Sequence, residues 1–233
     1  MQFAPRYNIY LEGETEAEFV VHAHISKWHG EPWPSLDSPA DAPVVHFTIN
    51  LVSNNDVLIS NNITVGTTDR VLKFTLAGLE PSFDPYDVVL FGATADGAPE
   101  VTATSELFFL PAKEGGSVTR LDNLNGGLWH RNAASGGEFV PVMPYGFYAS
   151  CDHFLCEDNA IEAVQAYHDR GLTGMIPLTT IWDSKDVFEF MDELDLKYMY
   201  DLRHYYQNLT ETAAQVSAIK DFDGLYAYWG ADE

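Results

Sequence analysis

After Phe139 the sequence alternates between short apolar strand patterns and amphipathic helix patterns, which restricts this part of the chain to an α/β fold. The predicted strands cover residues 140–148, 174–178, 198–200 and 225–229, and helices are predicted over 158–170, over 184–194 with Ser184 as the cap, and from Thr210 onward. Four strands alternating with three helices match half of an eightfold β/α barrel of about 250 residues. An open doubly wound sheet has the same alternation and stays an alternative.

The sequence before this region has a different pattern, with short apolar runs separated by turn residues and no helical period. The predicted strands cover residues 17–25, 44–52, 56–60, 71–76, 86–94 and 101–110. Asn54-Asn55, Asn61-Asn62 and residues 81–85 are predicted turns. This spacing predicts an antiparallel β-sandwich of immunoglobulin-like size.

A glycine-rich stretch connects the two patterns. Gly126-Gly127 is predicted to form a two-residue hairpin that caps the bottom of the following domain. The predicted organisation is therefore an α+β multidomain chain: a sandwich over 1–112, a connector or hairpin over 113–138, and the first four repeats of a β/α barrel over 139–233. No Gly-Lys-Ser/Thr follows these glycines and no dinucleotide-type turn follows the first barrel strand, so no nucleotide and no other cofactor is predicted.

The charge balance excludes two classes of partner. Thirty-five acids against twelve bases give a formal net charge of −23, which repels phosphate backbones and anionic lipid surfaces. Nucleic-acid and membrane partners are therefore not expected. The amino terminus carries no signal-peptide pattern, and no apolar stretch has the length of a bilayer span.

Cys151 and Cys156 are the two cysteines of the chain. Their spacing fits either a short-loop disulfide or two free thiols, while no further Cys or His cluster completes a zinc set, so no metal site is predicted. Asn62 and Asn208 each begin an N-glycosylation sequon. Sequons and paired cysteines indicate an extracellular, secreted parent protein, and we expect residues to be missing at the amino terminus.

The last predicted strand is followed directly by Asp232 and Glu233. Its aromatic and aliphatic run lacks polar alternation, as in a strand buried on both faces of a parallel sheet. Barrel enzymes place their chemistry at the carboxyl ends of such strands. The alternative interpretation is a solvated acidic pair.

Three segments together resemble a known enzyme family: residues 139–148, Asp201-Leu202-Arg203-His204, and residues 228–233. The chain resembles a fungal-type glycoside hydrolase, with a barrel similar to the large retaining clan whose acid/base glutamate ends the fourth strand and whose nucleophile ends the seventh. The resemblance implies that Glu233 is the general acid/base, and nothing matches the nucleophile. Many clan members have Asn before the catalytic glutamate, where this chain has Asp232, which is assigned a supporting role.

Other residues are assigned to a carbohydrate substrate. Asp201, Arg203 and His204 follow the third strand and are predicted to bind sugar hydroxyls or to orient the acid, with a loop salt bridge as the alternative. The candidate stacking platforms for the apolar faces of sugars are Tyr148, Trp182, Tyr205, Tyr206 and Trp229, with ordinary packing as the alternative.

The leading hypothesis is a glycoside hydrolase of which this chain is an inactive fragment, because glycosidic cleavage needs two carboxylates and only the acid/base is predicted. The open barrel edge is expected to favour self-association. The first alternative is a non-catalytic β-sandwich that binds carbohydrate or protein. A metal-dependent hydrolase using His153, His204, Asp201 and Asp232 is a weaker alternative without a recognisable ligand spacing.

Overall fold

The computed structural model describes residues 1–25, 28, 42–95, 97 and 100–231. The chain forms two compact units, one made of Met1–Ala112 with Leu121–Gly126 and the other of Lys113–Arg120 with Gly127–Glu233. Each unit has its own hydrophobic core. The fold is rich in β-structure and contains several sheets. Within the described ranges, no helix has both the length and the apolarity needed to cross a bilayer.

The described residues of the first unit form two antiparallel sheets and a short parallel pair. Its strands are β1 (Gln2–Pro5), β2 (Tyr10–Leu11), β3 (Glu16–His22), β4 (Val44–Leu51), β5 (Val57–Thr64), β6 (Arg70–Thr75), β7 (Tyr86–Thr94), β8 (Glu100–Leu107) and β9 (Phe109–Leu110). One sheet has the order β1-β3-β6, the other β5-β4-β7-β8, and β2 pairs with β9. Phe19 and Phe74 of the first sheet share one buried cluster with Phe47 and Leu90 of the second, so the two sheets face each other across this core.

The predicted turn at Asn61-Asn62 is wrong, because both asparagines lie inside β5. Ile59 and Ile63 point into the core on either side of them. Asn62 pairs with His46 of β4 and is exposed. The two-residue alternation of buried isoleucines therefore outweighs the turn preference of asparagine at this position.

The elements that follow in the chain are β10 (Val118–Asp122), β11 (Gly127–Arg131), β12 (Val140–Val142), β13 (Gly146–Ser150), α1 (Ala160–His168), β14 (Gly174–Leu178), α2 (Lys185–Glu193), β15 (Lys197–Asp201), α3 (Leu209–Ile219) and β16 (Leu225–Trp229). Strands β10, β11 and β12 form a three-stranded sheet in that order. An irregular turn, Cys151–Leu155, follows β13.

The single strand predicted over residues 140–148 is wrong, because the structure divides it in two. Strand β12 pairs antiparallel with β11, whereas β13 pairs in parallel with β14. Pro144 lies between them, and it has no backbone N–H to donate to a sheet. The chain therefore changes partner at this proline.

Strands β13 to β16 form a parallel sheet in consecutive order. Met175, Tyr198 and Leu225 lie side by side on one face of it, in register. They share one buried cluster with the following residues of the three helices: Val164 of α1, Phe188 and Met191 of α2, and Ile219 of α3. All three helices therefore pack on the same face of the sheet.

The helix caps differ from the predicted ones. Helix α3 begins at Leu209 rather than at Thr210, and the Asn208 side chain caps it by accepting from the Glu211 N–H. Ser184 precedes α2 as predicted, but its side chain does not cap the helix. The Ser184 hydroxyl instead lies 3.0 Å from the Thr179 hydroxyl and 3.2 Å from the Cys156 sulfur.

Strand β11 and the loop after it hold the amino-terminal edge of the parallel sheet. The hairpin turn spans residues 123–126 rather than Gly126-Gly127 alone. The His130 Nε2–H donates to the Asp223 carbonyl at 3.1 Å, and the Asn132 amide donates to the Asp195 carboxylate at 2.8 Å. Asp195 and Asp223 lie in the loops that lead into β15 and β16. These contacts fix one edge of the sheet, and the polar residues at the carboxyl ends occupy the other.

Candidate functional site

The candidate site lies at the carboxyl-terminal edge of the parallel sheet. Asp201 ends β15 and is in register with Trp229, which ends β16. Tyr148 lies in β13 beside Ile176 of β14. Because successive residues of a strand point to opposite faces, the side chains of Tyr148, Asp201 and Trp229 project from the face that the helices do not cover.

The Asp201 carboxylate and the Arg203 guanidinium form the charged centre of the site. The Asp201 Oδ2 accepts from the Arg203 Nε–H at 2.7 Å, and the Asp201 Oδ1 accepts from the Arg203 backbone N–H at 2.9 Å. The Asp201 side chain is 6% exposed and that of Arg203 is 21% exposed. A carboxylate held by two donors in this way is fixed in orientation.

Two aromatic rings complete the surroundings of Arg203. Its guanidinium carbon lies 5.4 Å from the centre of the Tyr148 ring and 5.9 Å from that of the Trp229 ring. The two rings meet edge to face, with centres 5.9 Å apart. Tyr148 is about half exposed. The arrangement therefore offers an open aromatic surface next to a fixed ion pair.

A cavity of about 230 Å³ opens beside Asp201 and Arg203. Its walls come from the ends of three neighbouring strands: Cys151, Leu178, Thr179, Thr180, Asp183, Asp201, Arg203, His204 and Tyr205. Pockets that bind drug-sized ligands have volumes of about 300–1,000 Å³. The cavity is therefore suited to one small polar group.

The loop after β14 is held by hydrogen bonds that position the cavity wall. The Tyr200 hydroxyl accepts from the Ile181 N–H at 2.8 Å and donates to the Gln215 side chain at 2.7 Å. Burial, the largest influence, raises the pKa of Tyr200 to about 12. The phenol therefore stays protonated and keeps its donor at neutral pH.

Thr180 and Asp183 form the polar rim of this loop. The Thr180 hydroxyl donates to the Asp183 carboxylate at 2.6 Å. On the opposite wall, Cys151 and Cys156 are joined by a disulfide. This bond closes the irregular turn after β13 against the cavity.

The structure brings together four of the six predicted substrate-binding residues, namely Tyr148, Asp201, Arg203 and Trp229. His204 is exposed and lines the cavity. Trp182 does not line it, and its indole N–H donates to Glu211 of α3 at 3.0 Å. The two predicted catalytic acids, Asp232 and Glu233, lie outside the described residues.

Thr179, Thr180 and Asp183 line the cavity but were not predicted from the sequence. The available signal was the polar run that directly follows β14, in the same position relative to its strand as Asp201 and Arg203 have to β15. Across the described ranges, no three His, Cys, Asp or Glu side chains converge as ligands of a metal ion would. The sequon residues Asn62 and Asn208 are both exposed.

No family model matches the sequence. No curated protein matches it either. Similar solved structures are glycoside hydrolases. A Parabacteroides merdae β-glucuronidase, crystallised with glycerol in its active site, is 14% identical over 99% of this chain and 28% of its own, with a TM-score of 0.37.

Two further solved structures show a similar degree of likeness. A Ruminococcus gnavus β-glucuronidase in complex with uronic isofagomine is 10% identical over 97% of this chain and 38% of its own, with a TM-score of 0.36. A Bacteroides vulgatus β-glycosidase is 8% identical over 98% of this chain and 30% of its own, with a TM-score of 0.36. The chain thus spans between 28% and 38% of the length of these three enzymes. Likeness at this level assigns no role to any residue.

Proposed function

We propose that the second unit carries a saccharide-binding site of the glycoside hydrolase type, on a sheet that corresponds to the first four repeats of a β/α barrel. The consecutive strand order with all helices on one face supports a barrel rather than a doubly wound sheet, in which helices cover both faces. In this proposal residues 1–112 form a separate β-sandwich. The disulfide and the two exposed sequons support an extracellular location.

One observation carries the functional proposal: Tyr148, Asp201, Arg203 and Trp229 meet at the carboxyl edge of the sheet. The flat apolar face of a pyranose packs well on an exposed aromatic ring, while its hydroxyls need fixed donors and acceptors at the rim. Tyr148 supplies such a ring. The Asp201–Arg203 pair supplies fixed polar groups next to it.

The proposed chemistry is hydrolysis of an O-glycosyl bond with Glu233 as the proton donor. Glu233 follows Trp229, the last residue of β16, by four positions in the sequence. An apolar surface such as the Trp229 ring would favour the neutral form of a nearby carboxyl group, which is the form that protonates a leaving oxygen.

A retaining mechanism needs a second carboxylate about 5 to 5.5 Å from the first. Asp201 is fixed by Arg203, so we assign it to substrate orientation rather than to nucleophilic attack. The proposal assigns no nucleophile. Its test therefore measures saccharide binding, which does not require the second carboxylate.

The test is an NMR or calorimetric titration with aryl glycosides of the common hexoses and pentoses. Tyr148→Ala is expected to weaken binding about tenfold, since the more exposed of the two aromatic rings at the site is lost. Phe147→Ala is the matched control, because Phe147 is also about half exposed but points to the other face of β13. Equal losses for the two variants, or no binding of any glycoside, would overturn the proposal.

A further inference from the structure

A groove on the first unit has no assigned role. It lies on the outer face of the sheet β5-β4-β7-β8 and has a volume of about 640 Å³. This volume falls within the range of about 300–1,000 Å³ that is typical of ligand sites. Its floor belongs to the two central strands, β4 and β7, and its rims to β5 and β8.

One aromatic ring lies at the centre of this groove. Phe91 in β7 is 49% exposed and lies in register between Thr48 of β4 and Thr102 of β8. Ser60 continues this row on β5, because it pairs with Thr48. A large exposed ring is thus flanked along the sheet by short hydroxyl side chains, which leave one edge and part of its face open.

The neighbouring row is polar and contributes hydrogen-bonding groups. His46 pairs with Asn62 on one side and with Ala93 on the other, and Ala93 pairs with Glu100. His46, Asn62 and Glu100 are exposed. Imidazole, amide and hydroxyl groups both donate and accept hydrogen bonds, as the hydroxyls of an uncharged sugar require.

The charge of the groove restricts the ligand class. Among the described residues that line the groove, Glu100 is the one acidic residue and none is a lysine or arginine. In a chain of net charge −23, such a surface does not attract an anion. The exposed apolar surface of the groove is centred on one ring, and this area is smaller than the apolar core of a stable protein interface. The groove is therefore not suited to a protein partner.

We infer that the groove over Phe91 binds a neutral oligosaccharide, with one sugar ring on the Phe91 side chain and its hydroxyls bonded to the row from Ser60 to Thr102. This site is independent of the proposed site on the parallel sheet. The two sites use different aromatic platforms, Phe91 and Tyr148. A substitution of one of these residues should therefore weaken binding at its own site and leave the other site unchanged.

The experiment titrates the full chain, produced in bacteria so that Asn62 carries no glycan, with cellohexaose, xylohexaose and mannohexaose at millimolar concentration. Amide chemical shifts are followed by NMR. We expect saturable shifts in β4, β7 and β8 for at least one oligosaccharide. Phe91→Ala is expected to weaken that binding about tenfold or more, because the stacking surface is removed.

Phe83→Ala is the matched control, since Phe83 is 80% exposed on the same unit but does not line the groove. It should bind like the wild type. Ser60→Arg places a long side chain across the groove at an exposed position and should also abolish binding. It tests the same site even if Phe91→Ala does not fold. Absence of shifts in these strands, unchanged affinity in Phe91→Ala, or binding that depends on Tyr148 instead would overturn the inference.

Discussion

The Arg203 side chain lies between a carboxylate and two aromatic rings, and its Nε–H donates to the Asp201 Oδ2 at 2.7 Å. The two residues are separated by one position, so the turn after β15 brings the cation back over the end of its own strand. This pair fixes the polar groups at the carboxyl edge of the parallel sheet. It is also the contact whose strength is measured most readily.

We expect a double-mutant cycle with Asp201→Asn and Arg203→Gln to give a coupling energy of about 1–2 kcal/mol, because the carboxylate is buried and the hydrogen bond is charge-assisted. The free energy of unfolding in urea measures it. The exposed pair Lys185 and Glu189 in α2 is the matched control, with an expected coupling of at most about 0.5 kcal/mol. Equal coupling in the two pairs would contradict the assigned role of Arg203.

His130 is expected to make the protein less stable in mild acid. Burial lowers the pKa of His130 from its ordinary value of 6.5, and the Lys197 charge adds to this effect, while the Asp223 carbonyl and the Asp195 and Asp223 charges oppose it. In the folded state His130 therefore binds a proton less readily than it does in the unfolded state. The stability contributed by neutral His130 is present above pH 6.5 and is lost as the pH falls through the folded pKa.

The measurement is the free energy of unfolding against pH for the wild type and His130→Gln. Below pH 6.5, the wild type should lose up to about 1.4 kcal/mol more per pH unit than the variant, until His130 is protonated in the folded state as well. Thr119→Val removes the hydroxyl that donates to His130 Nδ1 but keeps the titrating group, so it should lower stability without flattening the profile. Parallel curves for wild type and His130→Gln would show that His130 does not resist protonation.

The disulfide is expected to stabilise the turn at the cavity wall. It closes a short loop with a sequence separation of 5. Loop-closure entropy for a loop of this size corresponds to about 2 kcal/mol. Cys151→Ser/Cys156→Ser should lower the free energy of unfolding by about this amount. A reducing agent should destabilise the wild type to the same extent and leave the double variant unchanged. If it destabilises both, its effect does not come from reduction of this disulfide.

Asn208 has two separable roles, as a helix cap and as a sequon residue. Asn208→Ala should lower the free energy of unfolding by about 1 kcal/mol, because the Glu211 N–H loses its acceptor. Thr210→Ala destroys the sequon but keeps the cap, so in bacterially produced protein it should change stability by less than about 0.5 kcal/mol. If both variants lose the same stability, the cap is not the cause.

The parallel sheet could be predicted closely from the sequence. Gly174–Leu178 and Leu225–Trp229 are strands with the predicted bounds, because apolar runs flanked by glycine and loop residues leave little freedom. The predictions that failed concern places where tertiary pairing decides. Pro144 divides one apolar run between two sheets, and the isoleucines at 59 and 63 carry β5 through a predicted turn.

The site was predicted in part. Sequence position alone placed Asp201, Arg203 and Trp229 at strand ends, and the parallel register then brings them together with Tyr148. It could not indicate that Trp182 would donate to Glu211 instead, because that contact depends on where α3 packs. The groove over Phe91 was also not predictable, since it needs the lateral register of four strands.

The central claim, a saccharide site formed by Tyr148 and Trp229, is tested most directly on the indole N–H of Trp229. Its nitrogen is buried and has no hydrogen-bond partner within the described ranges, so its environment should respond to a ligand nearby. The chain has five tryptophans, and Trp229→Phe identifies the signal among them. On addition of an aryl glycoside, we expect a saturable shift of this signal that Tyr148→Ala weakens and Phe147→Ala does not. A Trp229 signal that stays fixed while the glycoside binds would contradict the account.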